Sequence, residues 1–270
     1  GTYTVNATAV NNNNYKFVSG ATLSKTYSIT ARPLTINWSN TSLVYNGNEQ
    51  KPTENIANKV GNDDLQISYS TKYVNVGSNY NFEISIANAN YYIETGATTT
   101  YSITKKALTL NWQSTSFTYN GANQYPTADA TGICGEDVVN ISYANYGKNA
   151  GTHTVTATVD NDNYEITTAT ASKNYSIAQY GVTIEWGVLT FTYDKTEKLP
   201  VATTEGINES VFVTVSGAKV DAGSYTATAD ISTYTNYKIA QNATATFTIN
   251  PKPVEITWTN PDLEYSGAAH

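Results

Sequence analysis

Apolar and polar residues alternate along this chain in short runs, and the runs recur. Leu34, Ile36 and Trp38 occupy every second position of LTINW, and the same alternation fills LTLNW (108–112), VTIEW (182–186) and VEITW (254–258). Successive side chains of a strand point to opposite faces, so each run predicts a half-buried strand with its apolar set turned inward. A middle run predicts a second strand from Leu65, Ile67 and Tyr69, from Val139, Ile141 and Tyr143, and from Val211, Val213 and Val215. A late run carries Tyr80, Phe82, Ile84 and Ile86, then His153, Val155, Ala157 and Val159, then Tyr225, Ala227, Ala229 and Ile231. The last run ends in Tyr101 and Ile103, or in Phe247 and Ile249. Thr, Val, Ile and Tyr fill these runs, while Asn, Gly, Asp and Pro separate them. No 3.6-residue periodicity is sustained, so helices are expected to be few and short.

The spacing of the runs is fixed. The four tryptophans, Trp38, Trp112, Trp186 and Trp258, lie 74, 74 and 72 residues apart. Tyr45, Tyr119, Tyr193 and Tyr265 follow each of them by seven positions, in VYNG, TYNG, TYDK and EYSG. Pro52, Pro126 and Pro200 hold the same step, as do Ile29, Ile103, Ile177 and Ile249. Several independent markers in one register define a tandem repeat. The expected domains are 32–105, 106–179 and 180–251. Residues 1–31 read as the C-terminal part of a preceding repeat and 252–270 as the N-terminal part of a following one, so the sequence reads as a piece of a longer chain.

Strands every 8–12 residues with turn signals between them predict a sandwich. The stretch DAGSYTATAD (221–230) resembles the tyrosine corner of immunoglobulin domains, with counterparts at 1–9, 76–87 and 150–159. The expected fold is therefore all-β: tandem small antiparallel β-sandwich (Ig-like) repeats in an elongated array. Two departures keep an alternative open, a β-grasp-like or other small mixed-sheet repeat. Trp stands on the first strand of each repeat, and the single Cys134 permits no disulfide within the chain. A bridge would supply about 2–4 kcal/mol. Burying one Trp removes about 150–250 Å² from water and compensates on that scale.

Composition narrows the function classes. Charged residues make up 14% of the chain, against about 25% in ordinary soluble domains. The net charge is −7, so no basic face awaits a phosphate backbone and no nucleic-acid partner is expected. No apolar run approaches the ~18 residues of a membrane span, so no membrane insertion is expected in this fragment. The links between repeats are always four residues, TARP (30–33), TKKA (104–107), AQYG (178–181) and NPKP (250–253). None is a flexible Gly/Ser tether, and Pro33, Pro251 and Pro253 fix φ. Strands of ~8–10 residues at ~3.3 Å per residue make a repeat about 30–40 Å long, so three in series span about 100 Å.

The recurrence of Tyr-Asn-Gly…Pro-Thr, Asn-Ala-Gly-x-Tyr/His-Thr-Val-Thr-Ala, Asn-Tyr and Tyr-Ser-Ile-Thr resembles the tandem repeats of bacterial surface proteins, the bacterial Ig-like or MBG-type domains. Repeat three departs from the pattern, with TYDK for Tyr-Asn-Gly. The resemblance implies an extracellular, surface-attached or secreted adhesin-like protein in which this segment is a stalk or spacer projecting a distal binding region. It implies no enzymatic activity.

Candidate chemistry is sparse. The only histidines are His153, at a corner-Tyr position, and the terminal His270. No nucleophile elbow, HExxH or phosphate loop occurs. Cys134 sits in a variable loop and reads as an incidental thiol, and no Lys recurs on an apolar face to form an isopeptide bond. Tyr15, Tyr91, Tyr92, Tyr164 and Tyr237 follow Asn- or Asp-rich loops. If exposed, their rings would stack on a sugar while the amides bond its hydroxyls. That makes environmental or host glycans, or host proteins, the candidate partners, with tandem copies adding avidity. The bland reading is that each Tyr opens a strand and packs inward. Asp160 and Asp162 in VDNDNYE are hard oxygen ligands suited to Ca2+, although the matching loops lack acids and Asn and Asp also favour plain turns. Asp63, Asp64, Glu136, Asp137 and Glu209 precede the middle strands and read as solvated loop acids. The two part-repeats at the ends are expected to cover each other's exposed edges, through a neighbouring copy or on the adjacent repeat.

Overall fold

The structure, a computed structural model, describes residues 1–8, 11–207, 209–259 and 264–268. His270 lies outside the described residues. Among those described, every regular element is a strand and no helix is long and apolar enough to cross a membrane. The chain is all-β, in several small sheets.

Two compact units can be distinguished. One takes in residues 1–110, 130–142 and 158–167, the other 111–129, 143–157 and 168–270. Segments of the sequence repeat 106–179 therefore belong to both.

In the first unit, Arg32–Ser39 is the middle strand of a three-stranded sheet, between Thr53–Ala57 and Tyr91–Thr95. A four-stranded sheet follows the order Ser42–Val44, Thr98–Thr104, Gly77–Ile86, Ile67–Tyr69. The alternation of the first strand holds: Leu34 and Ile36 are buried and Trp38 half-buried, its Nε1 donating to the Gly96 carbonyl at 2.8 Å. The Trp38 ring stands edge-on to Phe82 of the other sheet, with centroids 5.7 Å apart. Tyr101 and Ile103 of the last strand complete this core. Lys106–Trp112 opens a further three-stranded sheet, with Ala128–Thr131 and Tyr164–Ile166 on either side.

The second unit carries two four-stranded sheets of the same plan. One runs Ser116–Thr118, Ser172–Ala178, Gly151–Val159, Ile141–Ala144. The other runs Thr190–Thr192, Thr244–Asn250, Gly223–Asp230, Thr214–Ser216. Trp186 packs on Ala227, Phe247 and Ile249, and its Nε1 donates to Asn242 O at 2.8 Å.

Pairing is mixed where an antiparallel sandwich was the first expectation. Arg32–Leu34 runs parallel to Tyr91–Ile93, and Ser42–Val44 runs parallel to Ser102–Thr104. The same parallel pairs recur as Lys106–Leu108 with Tyr164–Ile166 and as Thr190–Thr192 with Thr248–Asn250. In the first repeat the strand breaks at Asn40, whose φ is 52°. The chain then continues onto the second sheet without reversing, so both halves meet strands from far along the sequence. Parallel pairing requires such a long connection, because a tight hairpin can only reverse the chain.

A second departure concerns the middle strand of the first repeat. Leu65 is buried as expected, yet Ile67 and Tyr69 are exposed. Gln66, between Leu65 and Ile67, adopts φ 52°, which interrupts the alternation and leaves Ile67 exposed, while the Tyr69 ring still stacks on Phe82 along one face.

The corner turn behaves as its sequence suggests. Tyr225 Oη donates to the Asp221 carbonyl at 3.1 Å, and Tyr80 Oη to the Asn75 carbonyl at 3.0 Å. His153 reaches back in the same way, with Nε2 2.7 Å from Asn149 O. An added Cβ at Gly223 would lie 2.8 Å from Tyr225 Oη, so a larger residue there would push the ring aside.

Candidate functional site

The recurrent tyrosines meet in two equivalent clusters, one in each compact unit. In the first, the turn Tyr45-Asn46-Gly47 is closed by Asn46 Oδ1, which accepts from the Asn48 N–H at 2.9 Å, with Gly47 at φ 80°. This turn drives Tyr45 edge-on against Tyr164, with centroids 5.4 Å apart and planes at 78°. Tyr45 Oη donates to Asp137 Oδ2 at 2.7 Å, and Tyr164 Oη donates to the same oxygen at 2.5 Å. Tyr164 Oη also accepts from the Cys134 N–H at 2.9 Å. Alongside, Asn163 Oδ1 accepts from the Val76 N–H at 2.9 Å and its Nδ2 donates to Asn75 Oδ1 at 3.1 Å. Tyr45, Asn75 and Val76 come from one sequence repeat, and Cys134, Asp137, Asn163 and Tyr164 from the next.

The second unit repeats the tyrosine pair, the carboxylate and the asparagine clamp, with Tyr237 Oη donating to the Ile207 carbonyl at 3.3 Å where Tyr164 donates to Asp137. Tyr119 stands edge-on to Tyr237 at 5.4 Å and 76°. Tyr119 Oη donates to Glu209 Oε1 at 3.2 Å, and Tyr237 Oη accepts from the Ile207 N–H at 2.9 Å. Asn236 Oδ1 accepts from the Ala150 N–H at 2.8 Å and its Nδ2 donates to Asn149 Oδ1 at 3.2 Å. These are tyrosine–carboxylate joints between successive repeats.

The Asn-rich loops aim the second tyrosine of each joint. Asn161 Oδ1 accepts from the Asn163 N–H at 3.0 Å, and the Tyr164 N–H donates to Asn161 O at 3.0 Å. That is an Asx turn followed by a strand start, the local geometry Asn favours. The same loop in the first repeat places Tyr91, with Asn88 Oδ1 accepting from the Asn90 N–H at 2.9 Å. Tyr91 Oη donates to Asp63 Oδ2 at 2.5 Å and accepts from the Val60 N–H at 3.2 Å. Asp63 and Asn90 are exposed, whereas Asp137 and Asn163 are half-buried.

Electrostatics follow from these contacts. The hydrogen bond to Asp137, with burial, pushes the Tyr45 hydroxyl up to about 12. Burial first and the Asp137 bond second raise Tyr164 further. Tyr237 rises for the same reasons, with Glu209 as its carboxylate, and Tyr119 rises as well. The two phenols, Tyr164 and then Tyr45, lower Asp137 below its ordinary carboxylate value. Tyr45 titrates near 10 when unfolded and near 12 when folded, so the folded state holds a proton that the unfolded state loses in between. Its contribution is intact below pH 10 and fades as pH rises toward 12. Thermal unfolding is accordingly expected to fall steeply across that window and less steeply in Tyr45→Phe. Identical slopes would remove Tyr45 from the linkage. Asp137 has the opposite sense: its contribution fades as acid protonates the carboxylate.

The structure departs from the glycan expectation at three of its residues. Tyr91, Tyr164 and Tyr237 are 6%, 1% and 3% exposed, so their faces are spent on the core and on the joints, with none left for a sugar. Each opens a strand, as the packing alternative had it. Tyr15 and Tyr92 are exposed, and neither belongs to a joint. Asp160 directs both oxygens to Asn140, at 2.9 Å from its N–H and 2.7 Å from its Nδ2, closing a loop where Ca2+ ligation was the candidate role. Asp162 is exposed, and among the described residues no group of three His, Cys, Asp or Glu is placed to hold a metal ion.

Sequence reasoning passed over Asp137 and Glu209 as solvated loop acids. The signal was available: Asp63, Asp137 and Glu209 keep the repeat's own step of 74 and 72 residues. Compared with known proteins, the chain matches no family model, no curated relative and no solved structure.

Proposed function

We propose that the chain is a structural stalk or spacer segment of a bacterial cell-surface, adhesin-like protein, one that holds a distal binding region away from the surface. One observation carries the reading: each of the two repeat-to-repeat contacts is closed by the same buried tyrosine pair, carboxylate and asparagine clamp. A flexible string of beads needs no such joint. Burying an aromatic pair edge-on adds about 0.5–1.5 kcal/mol beyond its area. Links of four residues leave little chain to swing about such a contact. The surface location rests on the resemblance of the repeat motifs.

Small-angle X-ray scattering tests the reading. A globular particle of this length has a radius of gyration of about 18 Å, and a rod of about 100 Å has one of about 29 Å. A value near the second is expected. A value near the first would remove the spacer role.

A further inference from the structure

In the second sequence repeat two loops are held together by an antiparallel bridge between Gln124 and Gly147, the Gln124 N–H donating to Gly147 O at 2.8 Å. Tyr125 and Tyr146, one step along each chain, therefore stand opposite each other on the other face of the bridge. Their ring centroids lie 5.0 Å apart, with planes at 33°. Gly147 fixes the aim of the pair. Its N–H donates to Tyr175 Oη, and a Cβ there would fall against the His153 ring, so this backbone cannot lift away without leaving the core.

Tyr143 supports the pair from beneath. Its centroid is 5.5 Å from that of Tyr125 and 5.9 Å from that of Trp112. Tyr143 Oη accepts from the Ala128 N–H at 2.8 Å and donates to Ala128 O at 3.2 Å. A row of rings thus leads from the half-buried Trp112 to solvent, where Tyr125 is 37% and Tyr146 48% exposed. Neither outer hydroxyl makes a hydrogen bond among the described residues.

The fold does not require these rings. The same bridge recurs as Gln50 with Tyr73 and as Lys198 with Lys219, and the flanking pair is then Lys51 and Lys72, or Leu199 and Ala218. In the first repeat Lys51 lies over the Tyr69 ring at 4.5 Å and pairs with Glu54. What is a charged surface there is a bare aromatic platform in the second repeat.

We infer that Tyr125 and Tyr146 form a binding site for a neutral glycan. A pyranose has an apolar C–H face rimmed by hydroxyls, and two phenols on a rigid support offer a matching face with hydroxyls at its edge. Size decides against a protein partner. The two rings together expose about 130–210 Å², against ~800 Å² per partner in a stable protein interface. The chain's net charge of −7 turns away polyanions. This site goes beyond the spacer reading and is decided separately from it, since a rod scatters alike with or without a sugar-binding face.

Isothermal titration calorimetry of the full chain with cellohexaose, mannohexaose and maltohexaose, each raised to roughly 5 mM, reaches millimolar dissociation constants. At least one of these is expected to bind with a constant of about 0.1–1 mM. Tyr146→Ala trims a half-exposed ring and is expected to weaken binding about tenfold. The double variant Tyr125→Lys, Tyr146→Lys installs the pair that the first repeat carries on the same bridge, so it keeps the thermal unfolding of the parent and loses binding altogether. Tyr92→Ala, which removes an exposed ring of the first repeat, is expected to bind as the parent does. No heat from any of the hexasaccharides, binding that survives the double variant, or equal loss in Tyr92→Ala would overturn the inference. So would a proline-rich peptide that binds the platform where the sugars do not.

Discussion

Tyr164→Ala is expected to destabilise the first compact unit by about 3–5 kcal/mol, the range for removing a buried aromatic ring. The ring is 1% exposed and lies in one cluster with Tyr45, Phe82, Tyr101, Ile103 and Leu108. Truncation leaves a cavity there and deprives Tyr45 of its edge-on partner. It also orphans the Cys134 N–H and takes one of two phenol donors from Asp137. Tyr164→Phe keeps the ring and loses only the hydroxyl, at about 1–3 kcal/mol. Calorimetry should show the unfolding transition lowered by on the order of 10 °C. Tyr237→Ala, which removes an equally buried ring, should cost a comparable amount. A loss below about 1 kcal/mol for Tyr164→Ala would mean that the joint is not a packing centre.

That asymmetry between ring and hydroxyl explains which parts of the protein could be read from its residues. Strand faces follow from a period of two, and Leu34, Ile36, Leu108, Leu110, Val182 and Ile184 are buried as that period requires. The tryptophan, the YNG tyrosine and the corner turn were legible because each marker recurs in register. Strand direction was not, because parallel pairing joins strands from the two ends of a repeat, as Ser42–Val44 with Ser102–Thr104, and local alternation carries no record of such distant partners. Gln66 is hidden as well and turns Ile67 outward. The joint was hidden for a different reason. Its acid, its acceptor tyrosine and its inserted tyrosine come from three separate loops of two repeats, and each has a sufficient local explanation alone. Asn in NDNYE serves a turn, Asp137 looks like loop polarity and Tyr164 looks like a platform. Only the coincidence of Tyr45, Asp137 and Tyr164 at one oxygen atom gives them a common purpose.

Gly96→Val is the second substitution expected to cost about 3 kcal/mol or more, and it acts through the main chain. Gly96 has φ 78°, where a β-branched residue suffers about 1–3 kcal/mol of strain. An added Cβ would also fall inside contact distance of the Ile36 carbonyl oxygen, a backbone atom that cannot swing aside. Moving the strand to relieve the clash withdraws the Gly96 carbonyl from Trp38 Nε1, at about 1 kcal/mol more. The third repeat supplies its own control. Asn242 occupies the equivalent place with φ 59°, accepts from Trp186 Nε1 through its carbonyl, and donates through Nδ2 to Ile184 O at 3.2 Å. Asn tolerates the left-handed region and can bond the crowding carbonyl instead of colliding with it. Gly96→Asn should therefore lose clearly less than Gly96→Val, as read by urea denaturation with tryptophan fluorescence. Equal losses would show that the first and third repeats solve this corner differently, and that equivalence of position along the chain does not extend to the backbone around the buried indole.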